Sequence, residues 1–167
     1  TADYIGMLAT VQNALVLRDY FNSKGIETRV SSAIAMPQIC EGYIPKRAER
    51  HLEKGRVVIF AAGLGAPYFT TDSTSVQRAL ELSAELLVMA KNGVDGLYTA
   101  DPDEDPEATL IRTISASDVL EQDLRVADQS AIAMAKEHGL QVKIVGVEDI
   151  ARALDPNVGS VITPDEV

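Results

Sequence analysis

The chain has no tryptophan, one cysteine, two histidines and only 5% aromatic residues among 167. Each scarcity excludes something. A lone Cys40 cannot form an intrachain disulfide, and His51 and His138 are too few and too scattered for a Cys/His metal cluster, so no protein metal site is expected. A reducing, cytoplasmic setting fits this usage. No apolar run approaches bilayer-spanning length, and the first residues have neither the basic start nor the apolar middle of a signal peptide. Basic residues are also in the minority, 15 against 25 acidic, for a formal charge of −10. That balance argues against a surface that tracks nucleic-acid phosphates or anionic membrane, and favours a small-molecule partner.

What is present suits one globular domain with a sizeable core: 46% hydrophobic residues and a mean hydropathy near zero. Ile5, Leu8, Val11, Leu15 and Val16 recur at helical spacing, predicting a helix over 4–24 that Gly25 stops. Residues 26–35 suit one or two short strands and 41–45 a loop. Pro45 then opens a helix over 46–54 that Gly55 closes. Arg56 to Ala62 reads as a strand buried on both faces, 73–84 as a helix and 85–90 as another buried strand, giving a parallel, right-handed strand–helix–strand unit. Beyond an acidic, proline-marked turn at 101–106, a short edge strand is expected at 111–114. Ser117, Asp118 and Asp128 suit helix N-caps, and a helix is expected over 128–138 with Gly139 as its stop. A strand at 141–145, a short helix at 147–154 and a last strand at 160–163 complete an α/β reading. It is one three-layer α/β/α sandwich with a mainly parallel sheet, covering 1–167 without an internal boundary. His51 and His138 read as helix-surface residues without a role.

The most informative stretch is Gly63-Leu64-Gly65-Ala66-Pro67-Tyr68-Phe69-Thr70-Thr71-Asp72. It lies at a strand-to-helix edge, where open α/β sheets bind ligands. Gly63 and Gly65 permit a tight turn and close backbone approach, while Thr70, Thr71 and Asp72 either satisfy the helix's first N–H groups or leave them facing an anion. A dinucleotide fingerprint would need glycine at Tyr68, and a Walker A loop would need Gly-Lys-Ser/Thr, so neither standard phosphate motif is present.

Four segments in order, DYIGMLATVQNALVLRD from Asp3, GLGAPYFTTD from Gly63, AKNGVDGLYTADP from Ala90 and LRVADQSAIAMAKEHGL from Leu124, together resemble bacterial uridylate kinases. The resemblance covers essentially the whole chain. It implies an amino-acid-kinase fold and transfer of the γ-phosphoryl group of ATP, carried with Mg²⁺, to UMP. It also implies a cytosolic homohexamer of pyrimidine-nucleotide biosynthesis, regulated by GTP and UTP.

By the same resemblance, Leu64, Gly65, Ala66, Pro67, Tyr68, Phe69, Thr70 and Thr71 form the UMP loop. Many relatives carry Thr where this chain has Leu64 and Asn where it has Ala66, so uracil contacts there must use main chain or water. Asp3 matches the acidic residue that holds the UMP ribose, with a helix N-cap as the plainer alternative. Asp72 matches a residue that orients catalytic lysines. Asn92, Tyr98 and Asp101 match the ATP-site positions for adenine, aromatic packing and ribose or metal-nucleotide contact, with Lys91 the one cation beside them. Arg125 and Asp128 fit a capped surface helix equally well.

The family's opening strand and turn, with a lysine near Ser-Gly-Glu, and its following Gly-rich turn with an arginine do not occur in these residues. Together with Thr1 and the amphipathic pattern that follows it, this predicts a chain that begins inside a larger domain and, alone, does not turn over. Two other readings stay open: another amino-acid kinase, making an acyl or carbamoyl phosphate, and a non-catalytic nucleotide-binding fragment.

Overall fold

The computed structural model describes residues 2–100, 102, 104–124 and 126–165. They group into two compact units, one up to Thr74 and one from Ser75. The division falls inside a helix rather than in a linker, so no change of composition marks it.

In the first unit, α1 (Ala2–Ser23) is followed by β1 (Thr28–Ser32), β2 (Glu41–Gly42), α2 (Pro45–Glu53) and β3 (Val57–Ala61). The strands form one sheet in the order β2-β1-β3, parallel throughout, with Thr28 opposite Val57 and Ser32 opposite Ala61. Two of these elements depart from the sequence reading. Residues 41–42 pair as a strand where a loop is expected, because the backbone passes in register with Ser31 and Ser32. β3 is not buried on both faces: Val57 is exposed and only Ala61 is fully covered, since β3 lies at an edge of this three-stranded sheet.

Val11 and Ala14 of α1 pack on Val30, Ala61 and Ala62 to form the first unit's core. They are the two buried residues of the long α1, which leaves Tyr4, Ile5, Leu8, Val16, Leu17 and Tyr20 exposed. Pro45 occupies the first turn of α2, where its missing N–H costs nothing. His51, expected on the helix surface, is instead drawn into a polar chain. Its Nε2 lies 3.1 Å from Glu41 Oε2 and its Nδ1 3.1 Å from an Arg56 guanidinium nitrogen, while Arg56 also pairs with Glu27 at 2.9 Å.

α3 (Thr71–Glu81) carries the chain across the division. β4 (Leu86–Lys91), β5 (Leu97–Tyr98), β6 (Leu110–Ile111), β7 (Thr113–Ser115), α4 (Ala116–Glu121), α5 (Gln129–Glu137), β8 (Gln141–Gly146), a 3-10 helix (Val147–Arg152) and β9 (Ser160–Thr163) follow. β4, β8, β9 and β7 make a four-stranded sheet in that order, with β8–β9 antiparallel and the other two pairings parallel. β5 and β6 form a separate antiparallel pair.

The expected β3–α3–β4 unit of one sheet is therefore corrected. Among the described residues β3 pairs with β1 and β4 with β8, in different sheets and each in parallel. Val142, Ile144 and Ile162 are almost wholly buried with Ala131, Ile132 and Val76 in the second unit's core. Lys143, on the same strand, is 4% exposed, and its ammonium donates to the Asp155 carbonyl at 2.6 Å, which keeps a buried charge partnered.

The caps also differ from expectation. α4 is capped by Ser115, whose Oγ accepts from the Asp118 N–H at 3.0 Å while its hydroxyl donates to the Asp118 carboxylate at 2.7 Å. Ser117 lies two residues too late to cap. It hydrogen-bonds Asp165 through its hydroxyl, and Lys136 pairs with the same carboxylate at 2.9 Å. These contacts hold the Asp165 carboxyl below its ordinary value, the Ser117 hydrogen bond most of all. Asp128 does sit at the N-cap position of α5, without a side-chain capping bond. Among the described residues no helix is long and apolar enough to cross a membrane.

Candidate functional site

The stretch 62–72 leaves β3 and enters α3. Four of its residues take left-handed backbone: Ala62 (φ 63°), Gly63 (57°), Gly65 (76°) and Tyr68 (71°). Gly65 passes so close to the chain after β1 that a Cβ there would lie 3.1 Å from the Ala33 carbonyl oxygen, which explains a glycine on steric grounds as well as conformational ones. Its N–H donates back to the Ala62 carbonyl at 2.8 Å, closing a tight turn. Leu64, Ala66 and Pro67 are half-buried. Tyr68 and Phe69 are exposed, Tyr68 at 95%, so the loop presents two aromatic rings to solvent.

Thr70 is the cap of α3. Its Oγ1 accepts the Ser73 N–H at 3.2 Å, and its carbonyl takes both the Thr74 N–H and the Thr74 hydroxyl. Thr71 and Asp72 form the first turn, where the half-buried Asp72 carboxylate is favoured by the helix dipole.

Asp3 belongs to the first turn of α1, and its Oδ2 accepts the Tyr68 N–H at 2.9 Å. The structure thus brings Asp3 and the 63–72 loop together, although 65 positions separate the bonded pair. Thr10, one helix face further along α1, accepts the Ala62 N–H at 2.8 Å. Sequence reasoning passed over Thr10; the available signal was its spacing of seven from Asp3, which puts both on one face of a helix.

The second candidate region follows β4. Asn92 lies exposed in the turn, and Lys91 ends β4 opposite Gly146. Tyr98, in β5, donates its hydroxyl to Asp95 Oδ1 at 2.8 Å, and this bond pushes the phenol above its ordinary value. Asp101 and Arg125 lie outside the described residues. The approach to β5 is tightly built. A Cβ on Gly96 would sit 2.6 Å from Leu110 Cδ1 and 2.7 Å from Ser160 Oγ, and that buried hydroxyl accepts the Leu97 N–H at 2.7 Å.

Lys91 is not the one cation here, because Arg112 is close enough to act electrostatically on Tyr98 while donating to the Gly159 carbonyl at 3.2 Å. Arg112 follows β6, whose Leu110 pairs with Tyr98, so only the hairpin register reveals it. Among the described residues no group of three or more His, Cys, Asp or Glu is placed to hold a metal ion.

A parallel sheet, a mostly parallel sheet and strand-to-helix turns rich in glycine and hydroxyls define a class that the comparisons make definite. Residues 1–146 match the amino acid kinase family, to which the chain belongs. Within it, the chain is 52% identical over 98% of its length to a uridylate kinase of Arthrobacter sp. (strain FB24), and 54% identical over 92% to that of Tropheryma whipplei (strain Twist). It spans 68% and 66% of those two proteins. The crystal structure of a UMP kinase from Bacillus anthracis superposes with a TM-score of 0.93 at 38% identity, over 99% of this chain and 70% of that one. One from Ureaplasma parvum gives 0.89 at 33%, over 97% and 71%. The chain has the amino-acid-kinase fold, and its relatives are uridylate kinases.

Proposed function

We propose that this chain serves the uridylate kinase reaction as part of the complete protein: the γ-phosphoryl group of Mg·ATP passes in line to UMP to give UDP and ADP without a phosphoenzyme. The observation that carries this reading is the 52% identity to a uridylate kinase over 98% of the chain. Identity at that level leaves little room for the acyl or carbamoyl phosphate alternatives.

In this reading the loop 64–71, with Asp3, takes UMP through main-chain groups, ribose-directed charge and exposed aromatics. Asn92, Tyr98 and Asp101 take ATP, and Asp72 orients the lysines that neutralise charge as it shifts to the leaving oxygen. Magnesium arrives on the nucleotide as part of the substrate. The protein works in the cytoplasm in pyrimidine-nucleotide biosynthesis, as a homohexamer responsive to GTP and UTP. The apolar residues that α1 leaves exposed support association between copies.

The 167 residues by themselves are expected not to turn over, even where they bind nucleotide, since neither the Ser-Gly-Glu lysine pattern nor the Gly-rich arginine turn occurs in them. The test is UDP formation from ATP by the complete protein, with UMP, CMP, carbamate and acidic amino acids as rival acceptors. Preference for any acceptor other than UMP overturns the reading.

A further inference from the structure

Residues 62–70 hold two non-glycine residues in left-handed backbone, Ala62 and Tyr68, a conformation such residues avoid unless the surroundings impose it. In each case the N–H of the strained residue is taken by a side chain of α1: Thr10 Oγ1 accepts from Ala62 at 2.8 Å, and Asp3 Oδ2 accepts from Tyr68 at 2.9 Å. Thr10 is fixed as an acceptor, because its one hydroxyl proton goes to the Met7 carbonyl at 2.6 Å. Ala62 is fully buried, so without Thr10 its N–H loses a partner that water does not replace. A spacing of seven puts the two α1 side chains two turns apart on one face, matching the beginning and the middle of the loop.

From this we infer that Thr10 and Asp3 are positioning residues for the acceptor nucleotide: α1 pins the loop at its two strained points and keeps it in the shape that receives UMP. This rests on the reading of the loop as the UMP site, but Thr10 itself need touch no ligand. Its hydroxyl acts through Ala62, and the cost of ordering the loop is met before the nucleotide arrives. For Asp3 the bond adds a task to ribose recognition, since one carboxylate oxygen already serves Tyr68.

The test uses the complete protein with Thr10→Val, which keeps the β-branched shape and removes the oxygen, and Thr10→Ser, which keeps the oxygen. Backbone hydrogen exchange over 57–69 needs no ligand, and calorimetric titration with UMP and with ATP reads affinity. Thr10→Val should speed exchange in the segment containing Ala62 about tenfold and weaken UMP about fivefold while leaving ATP unchanged, with Thr10→Ser near wild type. Wild-type exchange and UMP affinity in Thr10→Val would overturn the inference. So would equal damage from Thr10→Ser, which would make the role one of packing.

If Thr10→Val does not fold, Asp3→Ala supplies the second arm: faster exchange at Tyr68 supports the pin, and unchanged exchange overturns it. A wild-type protein that ignores UMP but shows these exchange changes would remove the functional reading and leave the pinning in place.

Discussion

The turn after β3 and the turn after β4 both lead out of parallel strands toward residues that resemble nucleotide contacts, yet they are held in different ways. The first takes its shape from hydrogen bonds reaching across the sequence, from Thr10 to Ala62 and from Asp3 to Tyr68. The second takes its shape from lack of room, with Gly96 closed in by Leu110 and Ser160. A loop held by a few discrete bonds can loosen one bond at a time, whereas a loop held by packing yields only when its neighbours move. The turn after β3 is the one expected to respond gradually to substitution.

The largest expected effect tests the packed turn. Gly96→Ala should destabilise the protein by ~1–3 kcal/mol, toward the upper end, because the Ser160 oxygen that the new Cβ meets is committed to the Leu97 N–H. Chemical denaturation measures this, and a change within a few tenths of wild type would erase the contrast.

Next, Tyr98→Ala should raise the Michaelis constant for ATP by about tenfold and that for UMP far less, as loss of one base–aromatic packing partner predicts. Equal changes for both nucleotides would detach Tyr98 from the ATP side.

Gly63→Ala should cost less, ~1 kcal/mol, because the nearest atom to its Cβ is Thr74 Oγ1 at 3.7 Å and only the positive φ resists. If Gly63→Ala proved as costly as Gly96→Ala, the first turn would have to be called packed as well.

The smallest effect touches neither turn and serves as a control. The Asp165 carboxyl is held low, first by the Ser117 hydrogen bond and then by Lys136. Its contribution to stability is therefore present above the unfolded carboxyl value, about 3.9, and lost as pH falls through the lower folded value. Ser117→Ala should flatten the acid limb of a stability–pH profile below about pH 4 without altering affinity for either nucleotide.

The elements with strong local signals were legible: α1 and its Gly25 stop, α2 with its opening proline, α5 before Gly139, and β8 and β9 all fall within a few residues of where periodicity puts them. The glycines of the 63–72 loop also declared a turn. What the sequence concealed is non-local. Nothing in Arg56 to Ala62 says that β3 pairs with β1 rather than β4, since a strand's own residues do not name its partner. The strand at 41–42 exists only through its neighbour, and the Ser115 cap was missed because Ser117 and Asp118 present the same chemistry two and three residues on. Asp3 was found by resemblance, while Thr10 looked like one more helix residue because its partner lies 52 positions away.

The strand order also carries a timetable for synthesis. Every described strand of the first sheet has been made once Ala61 leaves the ribosome, so β1 and β3 can pair while the rest of the chain is still being translated. Among the described residues β4 has no such early partner. Its residues from Leu86 onward must wait for Gln141 to Gly146 of β8, and β7 waits longer still, for Ser160 to Thr163 of β9. Until β8 is made, β4 offers an apolar strand without its partner from these residues, the kind of edge that invites pairing with another chain.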